Sequence, residues 1–314
     1  MRSKEETERT HAFVSGFVSI LGRPNTGKST LLNALVKTPL AIVSPKPQTT
    51  RTTIQGVLTT ERAQIVFLDT PGIHRGPSKL NARMMDAVRE ALQGRDLFLL
   101  VTDAAAGFRE EDGEAVAMLR SRRTPVLLVL NKIDRLRDKS LLLPLIAGFG
   151  ERLNFEECLP VSALTGEGLD ELMEAIIGRL PEGPRYFPTD HLTDQPERFL
   201  AAEIVREQIL RRTRQEVPHA IAVLVDQWED KTKILRIAAT VYVERDGQKG
   251  IIIGQRGAML KEIGTQSRRV LESLLEKKIY LELFVKVRPG WREDGAFLRE
   301  MDWRSMSGTE SGAE

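Results

Sequence analysis

The segment Gly22-Arg23-Pro24-Asn25-Thr26-Gly27-Lys28-Ser29 has the spacing G-x-x-x-x-G-K-S. A triphosphate needs several donors converging on clustered oxygens. A glycine-containing loop at a helix N-terminus supplies them as backbone N–H groups, together with the positive end of the helix dipole. Gly22 to Ser29, with Thr30 behind them, are therefore expected to grip phosphates. Lys28 is expected to bridge the β- and γ-phosphates from a solvent-facing position at the loop–helix junction. The Ser29 hydroxyl is expected to ligate Mg²⁺.

A phosphate loop does not choose a base. Asn131-Lys132-Ile133-Asp134 follows the apolar run Val126–Leu130, at the strand end where open α/β sheets bind ligands. Asp134 accepts from the N1–H and N2–H₂ of guanine, and adenine has no matching donors there. The stem of Lys132 can lie along the base while Asn131 braces the loop. Ser162-Ala163-Leu164, one strand later, can bring a backbone N–H to the guanine O6. Asp69-Thr70-Pro71-Gly72 follows the run Gln64–Leu68. Asp69 is placed to hold Mg²⁺ through a water, and Gly72 to turn its N–H toward the γ-phosphate. Of Thr49 and Thr50, in the loop before the second strand, Thr50 is the expected Mg²⁺ ligand. The predicted catalytic set is Lys28, Thr50 and Gly72, with Mg²⁺ on Ser29, Thr50 and Asp69. Loss of the γ-phosphate would release both loops, the order–disorder switch of GTPases.

These residues require a frame that holds loop ends together. From Phe17 to about Leu180, short β-rich runs alternate with helix-length segments, several of the runs apolar without alternation. That pattern predicts strands covered on both faces in a doubly wound α/β domain. A proline-bearing linker at residues 181–196 follows. After it come a helix near Arg198–Arg212, strands at Ala220–Gln227 and Ile234–Val243, a glycine-rich turn, a helix at Met259–Lys277 and a last strand. Leu235, Ile237, Ala239, Val241 and Val243 share one face, which predicts a sheet with its other face toward solvent. The division is thus a flexible extension 1–15, domains 16–180 and 197–304, and a disordered tail 305–314.

The second unit carries Gly254-Gln255-Arg256-Gly257 before its long helix. A G-x-x-G turn lets the chain pass close to a nucleic-acid backbone and clamp about four nucleotides, as KH domains do. The order α-β-β-α-α-β resembles a type II KH domain. Between Arg245 and Arg288 stand ten basic and five acidic residues, a local excess that suits a groove tracking phosphates. Lys249, Lys261 and Arg268 are expected to join the four turn residues in binding RNA. Trp291 can either stack on a base or anchor the C-terminal segment.

GRPNTGKS, QTTR, DTPG, NKID and SAL stand in the order found in translation-factor-type small GTPases. Within that group the chain resembles the Era family from about Gly16 to Arg304. The fold implied is an α/β doubly wound P-loop GTPase domain followed by an α+β KH (type II) domain. The resemblance also implies GTP hydrolysis, which the isoleucine at position 73 leads us to expect to be slow, and binding to the 3′ region of small-subunit ribosomal RNA. It further implies a role with the pre-ribosomal particle in small-subunit assembly, and weak peripheral association with the inner face of the cell membrane. In similar GTPases an asparagine at the place of Asn25 helps hold K⁺. Two positions depart from the pattern. Ile73 stands where many GTPases have a water-orienting glutamine, so the water-positioning group is unassigned, with His74 a nearby substitute. Gln255 replaces the usual lysine, leaving Arg256 as the turn's cation.

The totals exclude little. The length of 314 residues suits about two domains at roughly 150 residues each, and a net charge of +2 names no partner. Cys158 is the single cysteine, so no intrachain disulfide forms and a reducing compartment fits. It is expected to act as a small buried hydrophobe. Runs such as Leu97–Val101 fall far short of the ~20 residues that span a bilayer. The start, Met1–His11, lacks a signal peptide's apolar stretch. A cytoplasmic monomer that binds no DNA is expected. Two other readings remain: a GTPase driving RNA modification through a partner, and an RNA-binding scaffold with GTP as a structural ligand.

If Asp134 reads the base, Asp134→Asn reverses the donor–acceptor match at the base's 2-position. Preference should shift from GTP toward xanthosine triphosphate by roughly 10- to 100-fold, the scale of one charge-assisted hydrogen bond. Competitive binding of the two nucleotides checks this, and an unchanged GTP preference refutes it.

Overall fold

The computed structural model describes residues 12–46, 48–73, 76–214 and 216–306. His74, most of the expected extension and most of the expected tail lie outside the described residues. In chain order the first unit runs β1 (Val14–Leu21), α1 (Lys28–Val36), β2 (Ile54–Thr59), β3 (Ala63–Asp69), α2 (Lys79–Ala91), β4 (Leu97–Asp103), α3 (Glu110–Leu119), β5 (Val126–Asn131), α4 (Leu142–Gly150), β6 (Glu157–Pro160) and α5 (Leu169–Ile177). The second runs α6 (Glu197–Arg212), β7 (Ala222–Lys231), β8 (Ile234–Val243), α7 (Asp246–Ile253), α8 (Ala258–Leu275), β9 (Ile279–Val287), α9 (Gly295–Glu300) and α10 (Trp303–Met306).

Strands β3, β4 and β5 are buried at every position, which is why their sequences show apolar runs and no alternation. The sheet order is β2-β3-β1-β4-β5-β6, with β2 antiparallel to β3 and the other pairs parallel. One face packs against Leu31, Leu32 and Leu35 of α1 and Leu172 and Ile176 of α5. The other packs against Val88, Val116, Leu119 and Phe149 of α2, α3 and α4. Because β1 lies between β3 and β4, the strand order reverses at its carboxyl end. That crevice is where a doubly wound sheet holds its ligand, and the Gly22–Ser29 loop starts there.

The proline-bearing stretch 181–196 lies against the first unit. Gln64 of β3 accepts from the backbone N–H groups of Tyr186 (2.6 Å) and Phe187 (2.9 Å) and donates to the Phe187 carbonyl (2.9 Å). On the edge strand β2, Val57 N–H donates to Leu192 O at 2.8 Å, so the stretch also covers an otherwise open edge.

In the second unit β7 and β8 are antiparallel, while β8 and β9 are parallel. The face with Ile237, Ala239, Val241 and Val243 meets α6, α7 and α8, as the alternation predicts. The opposite face is not left to solvent as expected. Trp291, Phe297 and Leu298 cover Ala222, Leu224 and Tyr242, and Leu80 and Met84 of α2 join the same cluster. The β9 edge stays open, with Tyr280 48% and Phe284 50% exposed, and Asp226 and Arg236 are exposed as well.

Two local expectations change and two open readings are resolved. β1 starts at Val14, inside the stretch expected to be flexible. The first of the two consecutive helices in the expected α-β-β-α-α-β order falls at Asp246–Ile253 (α7), in the stretch otherwise read as a glycine-rich turn, despite Gly247 and Gly250, each costing about 1 kcal/mol in a helix relative to alanine. The Gln248 side chain accepts from the backbone N–H groups of Glu244 and Arg245 at its start. Cys158 is only half-buried. Trp291 packs rather than stacking on a base: it is fully buried, with its indole N–H donating to Ala220 O at 3.0 Å.

Trp291→Ala should cost about 3–5 kcal/mol, the usual range for emptying a large aromatic site. Urea unfolding of parent and variant measures it, and an unchanged midpoint refutes the anchoring role.

Candidate nucleotide and RNA sites

Helix α1 begins at Gly27 (φ 92°) with no side-chain cap and no acidic residue in its first turn. Its leading N–H groups and dipole are therefore available to an anion. A β-carbon at Gly27 would lie 2.3 Å from Asn131 Nδ2, and one at Gly22 would lie 2.3 Å from Val101 O. The loop sits flush on the strand ends, which requires glycine at both places.

Lys28 does not face solvent as expected; it is only 5% exposed. Its ammonium donates to Arg23 O at 2.9 Å. Burial pulls its pKa down to about 8, with Asp69 opposing that shift. Arg23 turns away from the loop and pairs with Asp112 of α3 at 3.2 Å.

Asp69, Ser29 and Thr50 converge. Ser29 Oγ donates to Asp69 Oδ2 at 2.6 Å and lies 2.8 Å from Thr50 Oγ1. Thr50 Oγ1 is 3.4 Å from the same carboxylate oxygen. Burial raises Asp69 to about 6, while Lys28 and the two hydroxyls pull it down. Its second oxygen, Oδ1, is buried with no partner. Three oxygens plus one orphaned carboxylate oxygen form a donor set suited to a small hard cation. Among the described residues no cluster of three His, Cys, Asp or Glu exists, so phosphate oxygens would have to complete the shell.

Thr70 Oγ1 donates to Ile20 O at 2.8 Å, and Ile73 N–H donates to Gly22 O at 3.2 Å. A β-carbon at Gly72 would lie 2.7 Å from Pro24 Cα, so Pro71-Gly72 passes directly over the phosphate loop. Ile73 is buried in the core under α2 and α3, and its aliphatic side chain has no group that could orient water. Residues 42–44 and 48–50 line a cavity of about 50 Å³ beside this loop.

Asn131 ties the base-side loops together. It donates to Thr26 O at 2.8 Å and accepts from Lys132 N–H (2.8 Å) and Ala163 N–H (3.0 Å). Lys132 takes a left-handed backbone (φ 67°), and its ammonium reaches Asp103 at 2.8 Å and the Asn25 carbonyl. Asp134 accepts from Ser162 Oγ at 2.6 Å, which aims its carboxylate before any base arrives. The phosphate-side and base-side loops are thus bonded to one another through Asn131 and Lys132. Asp103 and Asp112 were missed; Asp103 had a signal, since it ends the strand beside Asn131.

In the second unit Gly254 (φ 70°), Arg256 (φ 51°) and Gly257 (φ 79°) form a tight left-handed turn. A β-carbon at Gly254 would meet Met259, whereas nothing lies within 4 Å of one at Gly257, leaving room for a nucleic-acid backbone. The adjoining groove, about 410 Å³, is lined by Gly257, Lys261, Arg268, Tyr280 and Leu283 among others. Gln255 and Arg256 are exposed beside it. Lys249 sits half-buried on α7 and is not in the groove's lining. Tyr280 was missed because strand alternation alone does not mark an exposed aromatic as a groove wall.

Residues 17–132 match the family model of the 50S ribosome-binding GTPase, and residues 216–292 match the KH domain. The GTPase Era of Geobacter metallireducens is 50% identical over 93% of this chain and 98% of its own length. That of Syntrophus aciditrophicus is 48% identical over 93% and 95%. The crystal structure of Aquifex aeolicus Era Y63A bound to GDP·AlF4⁻ superposes with a TM-score of 0.90 at 41% identity, covering 93% of this chain and 99% of that one. A crystal structure of Era with MgGDPNP and nucleotides 1506–1542 of 16S ribosomal RNA matches with the same TM-score and identity. With the phosphate loop, the guanine-side loops and the G-x-x-G groove all in place, the chain belongs to the Era family of GTPases.

Proposed function

We propose that this GTPase binds the 3′ region of small-subunit ribosomal RNA and uses its nucleotide state to time that binding during assembly of the small subunit. The observation that carries the reading is the convergence of Ser29, Thr50 and Asp69 at the start of α1, in a chain that also presents the G-x-x-G groove. A relative bound to MgGDPNP and 16S ribosomal RNA supports the nucleic-acid class. Cytoplasmic monomers, part of them at the inner membrane face, are included in the proposal. The free, half-buried thiol of Cys158 suits that reducing setting.

Backbone N–H groups of residues 25–30 and the Lys28 ammonium hold the phosphates; Lys28 leaves Arg23 O to do so. Asn131, Lys132 and Asp134 hold guanine, with Ser162 orienting Asp134 and Ala163 N–H near the base. Mg²⁺, held by Ser29, Thr50 and Asp69, would neutralise charge developing on the phosphates. Thr70 and Pro71 set the loop from which the Gly72 N–H meets the γ-phosphate. Water then attacks the γ-phosphorus, and the bond to the β-phosphate oxygen breaks to give GDP and phosphate. With Ile73 in the core, catalysis rests on positioning and charge stabilisation, which gives a slow intrinsic rate. A K⁺ ion beside the exposed Asn25 would add positive charge.

Lys28→Ala should lower GTP hydrolysis by roughly 10²–10³-fold, the effect of deleting one preorganised charge-stabilising donor. Phosphate release measures it, and a parent-like rate refutes the assignment. Separately, replacing Gly254 and Gly257 with Asp should weaken RNA binding at least tenfold while GTP affinity of the free protein stays the same. If nucleotide state gates RNA binding, RNA must change GTP affinity by the same factor. RNA affinity with GDP and with a nonhydrolysable GTP analogue, at one fixed salt concentration, decides the matter. Equal affinities would leave the scaffold reading.

A further inference from the structure

The loop that carries Thr50 is held from outside the GTPase unit. Arg206 of α6 is 1% exposed and donates through Nη2 to the carbonyl of Thr49. Its guanidinium is fixed by Glu203, with Nε to Oε1 at 2.7 Å and Nη2 to Oε2 at 2.5 Å. On the other side of Thr50, Arg51 donates to Ile221 O at 2.6 Å and lies 5.3 Å from the Trp291 ring centroid. Val43 N–H donates to Glu207 Oε1 at 2.9 Å, and Thr53 O accepts from the Trp303 indole at 3.2 Å.

The Thr49 carbonyl belongs to the same peptide plane as the Thr50 N–H. Fixing that plane restricts φ of Thr50 and so the direction of its side chain. Thr50 Oγ1 is already aimed at Ser29 and Asp69. An isolated switch loop would have to find this direction by losing backbone entropy when the triphosphate binds. Here a buried arginine from the RNA-binding unit fixes it in advance.

We propose that Arg206, oriented by Glu203, is a positioning residue for GTP hydrolysis, holding the Thr49–Thr50 peptide so that the Thr50 hydroxyl is presented to the metal. The inference rests on the reading of Thr50 as a metal ligand in the triphosphate state. It makes the RNA-binding unit a structural part of the GTPase site, so a displacement of α6 on RNA binding would be felt at Thr50.

The test uses the full chain with Mg²⁺, GDP and a nonhydrolysable GTP analogue. Arg206→Met should reduce analogue affinity and kcat about tenfold, the scale of one charge-assisted hydrogen bond. GDP affinity should not change, because switch-loop contacts form only with the γ-phosphate. Arg206→Lys, which keeps a donor for the carbonyl, should recover most of the loss. In the nucleotide-free protein, amide exchange across residues 48–53 should quicken in Arg206→Met while exchange in β3 stays as in the parent. Analogue and GDP affinities falling together, or neither changing, would overturn the role of Arg206. If Arg206→Met fails to fold, Glu203→Gln carries the same comparison: a lowered analogue-to-GDP ratio supports the role, and a parent-like ratio overturns it. Thr50→Ala run in parallel separates the two claims. If it leaves the ratio unchanged, the reading of Thr50 is wrong; if only the Arg206 and Glu203 variants leave it unchanged, the positioning role alone is wrong.

Discussion

The buried carboxylate of Asp69 beside the buried ammonium of Lys28 is the constraint on which the rest of the molecule depends. Each is shifted toward its neutral form by burial, Asp69 upward to about 6 and Lys28 downward to about 8, and each opposes the other's shift. Taking two charges out of water costs several kcal/mol per ion, and mutual attraction recovers that only with good geometry and full hydrogen bonding. Here bonding is incomplete. Asp69 Oδ1 has no partner, and Lys28 donates to a single carbonyl. A pair left short of partners at a helix N-terminus is arranged for a charged ligand rather than for the stability of the empty fold. A triphosphate with its cation supplies both complements at once: anionic oxygens for Lys28 and a positive charge for Asp69.

Such a site must be held rigidly, or its cost is borne without gain in selectivity. Asn131 provides much of that rigidity. One buried amide bonds the phosphate loop, its own loop and the Ser162-Ala163 loop. The base pocket and the phosphate pocket are thereby set at one separation before any ligand arrives. On the proposed reading Asp134 accepts from guanine, and Ser162 aims its carboxylate. The arrangement follows the general rule that binding groups held by other side chains lose little entropy on engagement.

Motif residues were legible because phosphate and guanine recognition demand fixed side-chain types at fixed spacings. Lys28, Ser29, Asp69, Asn131 and Asp134 needed no tertiary information to be found. Helices α1 and α3 and strands β8 and β9 also fall at the residues that periodicity marks. What stayed hidden depended on contacts between distant segments. Lys28 read as solvent-facing because nothing local shows that the Asp69 loop and residues 42–50 close over it. The order of elements called for a helix before α8, but Gly247 and Gly250 hid its place, which the packing of Ile252 fixes. Arg206 carries no motif: in sequence it is one basic residue in a charged helix, and only the fold brings it to Thr49, 157 positions away.

The same long-range contacts bear on how two units can act as one machine. A flexible connection would let the RNA groove move without consequence for the nucleotide. Instead, residues 181–196 are laid along β2 and β3 through Gln64, and α2 shares a hydrophobic cluster with Trp291 and Phe297. Arg83 and Asp302 pair across the same boundary at 3.1 Å. Arg51 is the most telling contact. Burial and the nearby Arg206 charge lower its pKa to about 9, and its Nε and Nη2 have no partners. The buried Arg206 and the half-buried Arg51 meet at this junction, where Glu203 pairs with Arg206 and opposes the shift of Arg51. Val43 and Thr49 bond to α6, so any movement of the segment that carries Thr50 either breaks those bonds or carries α6 with it.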